Sequence, residues 1–310
     1  MFQGMEYVYE VYKEKSFSKA AQNLFISQPS LSANVKRIEK KVGYPIFDRS
    51  TKPMGLTECG EKYIQCVEKM HAAEIEFSNF VNDWIGLKTG SLILGGSSLY
   101  SSWILPQLMG EFSRKYPLVK LVLIEESTGK LEELLQTGGV DLVLDNCILN
   151  PAVFASSIYQ EEKLLLAVPG HFTVNERLQA YQLSAQEIRN GKFREDHTPG
   201  VPLEAFREEP FIMLKPENDT RERAVALCEA HGFMPNILFE LDQQQTAYHI
   251  TCSGLGISFI SDTLIARGTD NPNVVYYKLD GENSSRKLYF YWKKGRYISR
   301  VMEEFLRMAV

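Results

Sequence analysis

The residues best suited to chemistry lie in the first sixty. The run Ser27-Gln28-Pro29-Ser30-Leu31-Ser32 opens on a helix-capping serine, and Pro29 suits the first helical turn. It presents a carboxamide and hydroxyls at Gln28, Ser30 and Ser32. These groups donate and accept hydrogen bonds, so they suit the edges of nucleic-acid bases. One or two turns later Lys36 and Arg37 bring positive charge suited to phosphates. A second set of small polar groups lies further on, in Ser97-Ser98-Leu99, Ser127-Thr128 and Lys215 to Thr220, the last including Asn218. Each falls between an apolar strand-like run and a helix-like run. Hydroxyls and free N–H groups at helix starts favour an anionic small molecule, although Glu126, Glu217 and Asp219 nearby would favour an amine instead.

Catalytic patterns are missing. The sequence has no Gly-x-Ser-x-Gly, His-Glu-x-x-His, phosphate-binding loop or Cys-x-x-Cys, and Gly254-Leu255-Gly256 lacks the rest of a dinucleotide fingerprint. The histidines are dispersed, and Cys59, Cys66, Cys147, Cys228 and Cys252 lack metal-ligand spacing. The expectation is no enzyme, no metal and no cofactor. Free thiols point to a reducing cytoplasm. No apolar run is long enough to span a membrane, and Met1 to Glu10 does not read as a secretory signal.

Charge separates the same two regions. Up to Thr57 there are nine Lys or Arg and five Asp or Glu, a surplus of +4. The whole chain carries −5, so the remainder carries −9. A basic head on an acidic body fits a nucleic-acid-binding module joined to something else.

The elements that must position these groups follow from spacing. Met5, Val8, Val11 and Tyr12 mark a first helix, and Ser16 or Ser18 caps a short second one over 19–24. The third runs from Gln28 to Lys41, buries Leu31, Val35 and Ile38, and ends at Gly43. Phe47 to Thr57 reads as strand, basic turn, strand: a wing with Lys52 at its tip. This is a helix-turn-helix pattern. The competing reading is a small helical domain with solvated lysines.

The residues Ser16-Phe17-Ser18-Lys19-Ala20-Ala21, Ile26 to Ser32, Ile38-Glu39, Gly43, Phe47-Asp48-Arg49 and Leu56 to Gly60 resemble the winged helix-turn-helix of LysR-type transcriptional regulators. The resemblance implies that Gln28, Pro29 and Ser32 approach bases while Ser18, Lys36, Arg49 and Lys52 hold the DNA backbone. Ala33 departs from the long polar residue frequent there, which shifts readout toward Asn34 and DNA shape.

From Thr57 to Trp84, Tyr63, Val67, Met70, Phe77, Val81 and Trp84 follow heptad steps, so this helix is expected to pair with a second copy. The residues beyond Gly90 alternate strand and helix, as in a largely parallel α/β sheet. With Leu105-Pro106, Tyr116-Pro117, Gly139 to Leu144 and Gly254 to Ile257, they resemble the same family's two-lobed effector domain, similar to periplasmic binding proteins.

The expected organisation is a DNA-binding domain over 1–57, a linker and dimerisation helix over 58–86, and an effector-binding domain over 91–310. Its first lobe is expected at about 91–162 and 268–310, its second at about 163–267. Ser184 to Glu209 reads as a disordered surface insertion or a flap over the cleft. The partners expected are double-stranded DNA, an organic acid or amino-acid-like effector between the lobes, and further copies of the chain as homodimer or homotetramer. The alternative is a small-molecule enzyme or solute-binding protein with an accessory helical module.

Overall fold

In the computed structural model, which describes residues 2–50, 54–83, 90–268 and 271–310, the N-terminal helices start and stop at their capping residues. Helix α1 (Met5–Glu14) buries Val8 and Val11. Helix α2 (Phe17–Asn23) is capped by Ser16, whose Oγ accepts from Lys19 N at 3.4 Å; Ser18 lies inside the helix and exposed. Helix α3 (Gln28–Val42) is capped by Ser27, which accepts from Ser30 N at 3.3 Å, and stops at Gly43 with φ 90°. Its buried stripe is Leu31, Val35 and Ile38, as the spacing predicts. These pack with Val8, Ala20, Ile46 and Phe47 into one small core. Each such Leu, Ile, Val or Phe side chain contributes about 1.5–3 kcal/mol on burial.

Strands β1 (Phe47–Asp48) and β2 (Gly55–Leu56) pair antiparallel as the wing. Its expected tip, Lys52, lies outside the described residues. Glu39 on α3 fastens the wing: its carboxylate accepts from Ile46 N at 2.9 Å, Phe47 N at 3.3 Å and Arg49 Nη2 at 3.2 Å.

Helix α4 (Glu58–Asp83) begins where Thr57 Oγ1 accepts from Gly60 N at 3.0 Å. A Cβ at Gly60 would collide with the Ile46 carbonyl, so only glycine lets α4 approach this closely. Gly60→Ala should destabilise the head by about 1–3 kcal/mol, since backbone must shift. Calorimetry of the head's transition checks this; an unchanged midpoint would contradict it. The expected seam on α4 divides in two. Tyr63 and Val67 are buried in the head's own core, whereas Met70, Phe77 and Val81 stay 39%, 67% and 42% exposed. Phe80, not anticipated, joins the exposed face, and Trp84 lies outside the described residues.

The described residues form two compact units, one reaching the end of α4 and taking in Gln136–Gly139, the other holding the rest. The second begins with β3 (Gly90–Gly96), α5 (Ser98–Trp103) and α6 (Leu105–Lys115). Pro106 stands in the first turn of α6, and Ile104 separates that helix from α5. Then come β4 (Val119–Glu125), α7 (Thr128–Thr137), β5 (Leu142–Asp145) and the long β6 (Phe154–Pro169). Next are α8 (Val174–Arg177), β7 (Gln182–Leu183), α9 (Ala185–Arg189), β8 (Pro210–Leu214), α10 (Asp219–Ala230) and β9 (Asn236–Leu241). The unit closes with α11 (Gln244–Cys252), β10 (Ile257–Ser261), α12 (Asp262–Arg267), β11 (Val274–Lys278), β12 (Ser285–Lys293) and α13 (Arg300–Ala309).

The strands run β4-β3-β5-β12-β6-β10-β8-β9. Strand β6 joins two lobes: Phe154 to Lys163 pairs with β12, and Leu164 to Pro169 pairs with β10 and β11. Strands β3, β4 and β5 are mutually parallel, as are β8, β9 and β10, while β6 and β12 run antiparallel to their neighbours. Pairing places β11 in the second lobe, which corrects the assignment of 268–310 entirely to the first.

Residues 184–209 are neither disordered nor a loose flap. Ser184 and Glu187 form a reciprocal capping box on α9, and Ile188, Phe193, Leu203 and Phe206 are buried. Arg194 is held by Asp262 on α12.

Candidate nucleic-acid interface and ligand cleft

The first turn of α3 leaves Gln28, Pro29 and Ser30 exposed, with Ser32 and Asn34 half-buried behind them. Burial of Leu31 and Val35 on the opposite face fixes this orientation. Ala33 and Lys36 are exposed, and Asn34 Oδ1 accepts from Arg37. That leaves the Asn34 amide as a donor. The exposed methyl of Ala33 suits a thymine methyl rather than a hydrogen bond. Arg49 is held on Glu39 and lies 5.4 Å from the centre of the Phe17 ring, so its cation is positioned before any contact is made. The surface can hydrogen-bond base edges and offer cations to phosphates.

A buried cross-strand pair joins the two lobes of the second unit and is the centre of the candidate ligand site. Arg286 on β12 lies opposite Glu162 on β6, and both are buried. Arg286 Nε and Nη2 donate to Glu162 Oε2 at 2.7 and 2.6 Å. Its Nη1 reaches the second lobe, donating to Asp219 Oδ2 at 2.8 Å and Thr220 Oγ1 at 2.9 Å at the start of α10. Asp219 also accepts from Arg223 Nε at 2.9 Å and from Asn146 Nδ2 at 2.6 Å. Tyr100 OH on α5 donates to Asn146 Oδ1 at 2.9 Å. Beside it, Asp145 accepts from Thr128 Oγ1 at 2.9 Å and Cys147 N at 2.9 Å.

This network is largely buried and acidic. Glu162 and Asp219 commit both guanidiniums, Arg286 and Arg223, while Asp145 lies beside them and acts on the same Tyr100 hydroxyl. Glu162 Oε1 is buried and has no hydrogen-bond partner among the described residues. Burial raises the Asp145 carboxyl above its usual pKa. Burial, then the neighbouring Asp145 and Asp219, pushes the Cys147 thiol up to about 12. Burial and then Glu162 hold Tyr100 well above its ordinary value. For Arg286, burial opposes the charge, but Glu162, Tyr100 and Asp219 outweigh it and raise the pKa.

The residues expected at the effector site are only partly gathered here. Thr128 and Thr220 belong to the network. Asn218 caps α10 through Thr220 N at 2.9 Å. Ser97 and Ser98 are half-buried at the start of α5, Leu99 is buried, and Ser127 is exposed. Lys215 is exposed and its ammonium is taken by Asp242 at 2.8 Å, so it is not an uncommitted cation. Tyr100, Asp145, Asn146, Glu162, Arg223 and Arg286 complete the network, and none of them is marked by local spacing in the sequence. Charges just ahead of the apolar runs at Leu164 and Leu288 were the available signal. Among the described residues no His, Cys, Asp or Glu cluster could hold a metal, and no helix is long and apolar enough to cross a membrane.

Comparison with known proteins covers both units. The family described as "Bacterial regulatory helix-turn-helix protein, lysR family" matches residues 2–61, and "LysR substrate binding domain" matches 86–310. An uncharacterized HTH-type transcriptional regulator, YcgK of Bacillus subtilis, is 30% identical over 98% of this chain and 92% of its own length. A probable RuBisCO transcriptional regulator of Trichormus variabilis is 27% identical over 94% of this chain and 82% of its own. Among solved structures, full-length CbnR in complex with its target DNA aligns with TM-score 0.69 at 16% identity, over 100% of this chain and 98% of that one. Full-length OxyR from Pseudomonas aeruginosa aligns with TM-score 0.70 at 20% identity, over 98% of this chain and 92% of that one.

Proposed function

The chain belongs to the LysR family of transcriptional regulators, and on that premise we propose which groups read its operator and what chemistry its effector carries. The enzyme or solute-binding alternative is set aside, because relatives matching nearly end to end are regulators. In our reading Gln28, Pro29, Ser30, Ser32 and Asn34 face base edges. Ser18, Lys36, Arg49 and Lys52 hold the backbone. Pairing through the exposed face of α4 presents two heads to two half-sites, and further pairing gives a tetramer.

For the effector, one observation carries the reading: among the described residues Glu162 Oε1 is buried without a donor, while the guanidiniums of Arg286 and Arg223 are already engaged. A simple organic acid would bring a further anion to a cleft with three carboxylates. An ammonium group supplies the missing donor. Ser97, Ser98 and Ser127 at the rim offer hydroxyls and N–H groups to a carboxylate on the same ligand. The ligand class is therefore an amine, with an amino-acid-like zwitterion fitting best. This departs from the expectation of an anion and takes up the amine that Glu126, Glu217 and Asp219 would favour. Its binding biases the arrangement of the lobes, and DNA binding responds by the differential affinity of the two states.

Thermal-shift measurements with matched sets test this: an amino acid, its deaminated acid and its decarboxylated amine. At a hundredfold excess over Kd, a ligand adds about 2.7 kcal/mol, or roughly 5–10 °C for a unit of this size. The amino acid or the amine should raise the midpoint and the deaminated acid should not. Ser127→Trp, at an exposed position, should remove the response while leaving the unliganded midpoint within a few degrees. Equal stabilisation by the deaminated acid would reject the amine.

A further inference from the structure

The turn that links α2 to α3 ends α2 on a residue with left-handed backbone. Leu24 N donates to Ala20 O at 3.0 Å, Phe25 N to Gln22 O at 3.1 Å and Ile26 N to Ala21 O at 3.0 Å. This pattern requires φ above zero at the residue after the helix, a place where glycine is usual because it has no Cβ to strain. The residue here is Phe25, at φ 54°. Its neighbours Leu24 and Ile26 pack against the core, whereas the Phe25 ring is 95% exposed. The protein thus bears two costs at one position, a strained backbone and a large apolar group in water. Among the described residues nothing covers the ring.

The position tells what could repay them. In a helix-turn-helix, the first helix crosses the DNA backbone and the second enters the major groove by its N-terminus. A residue between the two lies over the rim of the groove, where the sugar–phosphate chain passes. Ser27 and Gln28 follow Phe25 by two and three residues, so the ring stands beside the groups assigned to base reading. We propose that Phe25 is a DNA contact whose ring packs on the deoxyribose rim of the groove that receives α3. The inference rests on the reading that the first turn of α3 faces DNA. Such a contact is apolar, so it releases no counterions. It touches sugar rather than bases, so it adds affinity without choosing sequence.

Full-length Phe25→Gly, Phe25→Tyr and Gln28→Ala variants test it by fluorescence anisotropy. The probes are an operator selected from random duplexes by the wild-type protein and a random duplex of equal length, each over a range of salt. Phe25→Gly should weaken binding to both duplexes by about tenfold. Its salt slope should be unchanged, and its melting point equal to or above wild type, because strain is relieved and no burial is lost. Phe25→Tyr keeps the ring and should bind within about twofold. Wild-type affinity for Phe25→Gly would overturn the proposal. So would a loss confined to the operator, a salt slope reduced by about one, which marks a displaced phosphate contact, or a lowered melting point, which marks a structural role. Gln28→Ala reads the α3 assignment separately. If it loses operator preference while Phe25→Gly binds normally, only the Phe25 contact falls. If operator preference survives in Gln28→Ala, the α3 assignment itself falls.

Discussion

Arg286→Ala should lower the unfolding midpoint of the effector-binding unit by roughly 10 °C. The guanidinium supplies hydrogen bonds to Glu162, Asp219 and Thr220 across the lobes. Removing it leaves the Glu162 carboxylate buried with Tyr100 OH as a distant 3.5 Å partner. Breaking a buried pair by deleting one member costs about 3–5 kcal/mol, and about 2–4 °C accompanies each kcal/mol in a unit of this size. Deleting both charges is different. Arg286→Met combined with Glu162→Met should restore most of the loss, because well-packed apolar groups replace a buried pair at little cost. Asp219 keeps Arg223 and Asn146 in that variant. Scanning calorimetry of the full chain resolves the transition. A shift below about 2 °C for Arg286→Ala would mean that the network is solvated and contributes little.

The second large effect is expected on assembly. Phe77→Glu with Val81→Glu places two carboxylates on the exposed apolar face of α4. If that face is covered by a second copy, the charges are buried unpaired, at several kcal/mol per subunit. Light scattering should then show smaller particles, and operator affinity should fall by about 10²–10⁴ as the linked second head is lost. Val67→Glu is a different experiment, because Val67 is fully buried in the head's own core and the variant should unfold that core. A folded Phe77/Val81 variant of unchanged particle size would reject pairing through this face.

What the sequence made legible, and what it hid, divides by range. The cap at Ser27, the stop at Gly43 and the stripe Leu31-Val35-Ile38 are local, and spacing alone specifies them. The seam on α4 was half legible: Val67 and Val81 occupy equivalent heptad positions, and spacing cannot say whether the head or another copy covers each. Residues 184–209 hid their order because short 3-10 turns space Ile188, Phe193, Leu203 and Phe206 irregularly, with no single period. The cleft was hidden most completely. Glu162 and Arg286 are 124 residues apart, and only the register of β6 against β12 brings them together. The expectation of an anion rested on helix starts, which are local; the carboxylates that oppose it arrive by tertiary contact.

Whether this regulator selects its operator through the first turn of α3 is measured most directly by the ratio of operator to random-duplex affinity for wild type and Gln28→Ala over a range of salt. A side chain paired to a base edge contributes about 1–3 kcal/mol of discrimination per contact. The ratio should therefore collapse by roughly ten- to a hundredfold in Gln28→Ala, with random-duplex affinity and salt slope unchanged. An operator ratio that survives the substitution intact would contradict the account, because Gln28 would then stand beside the DNA without reading it.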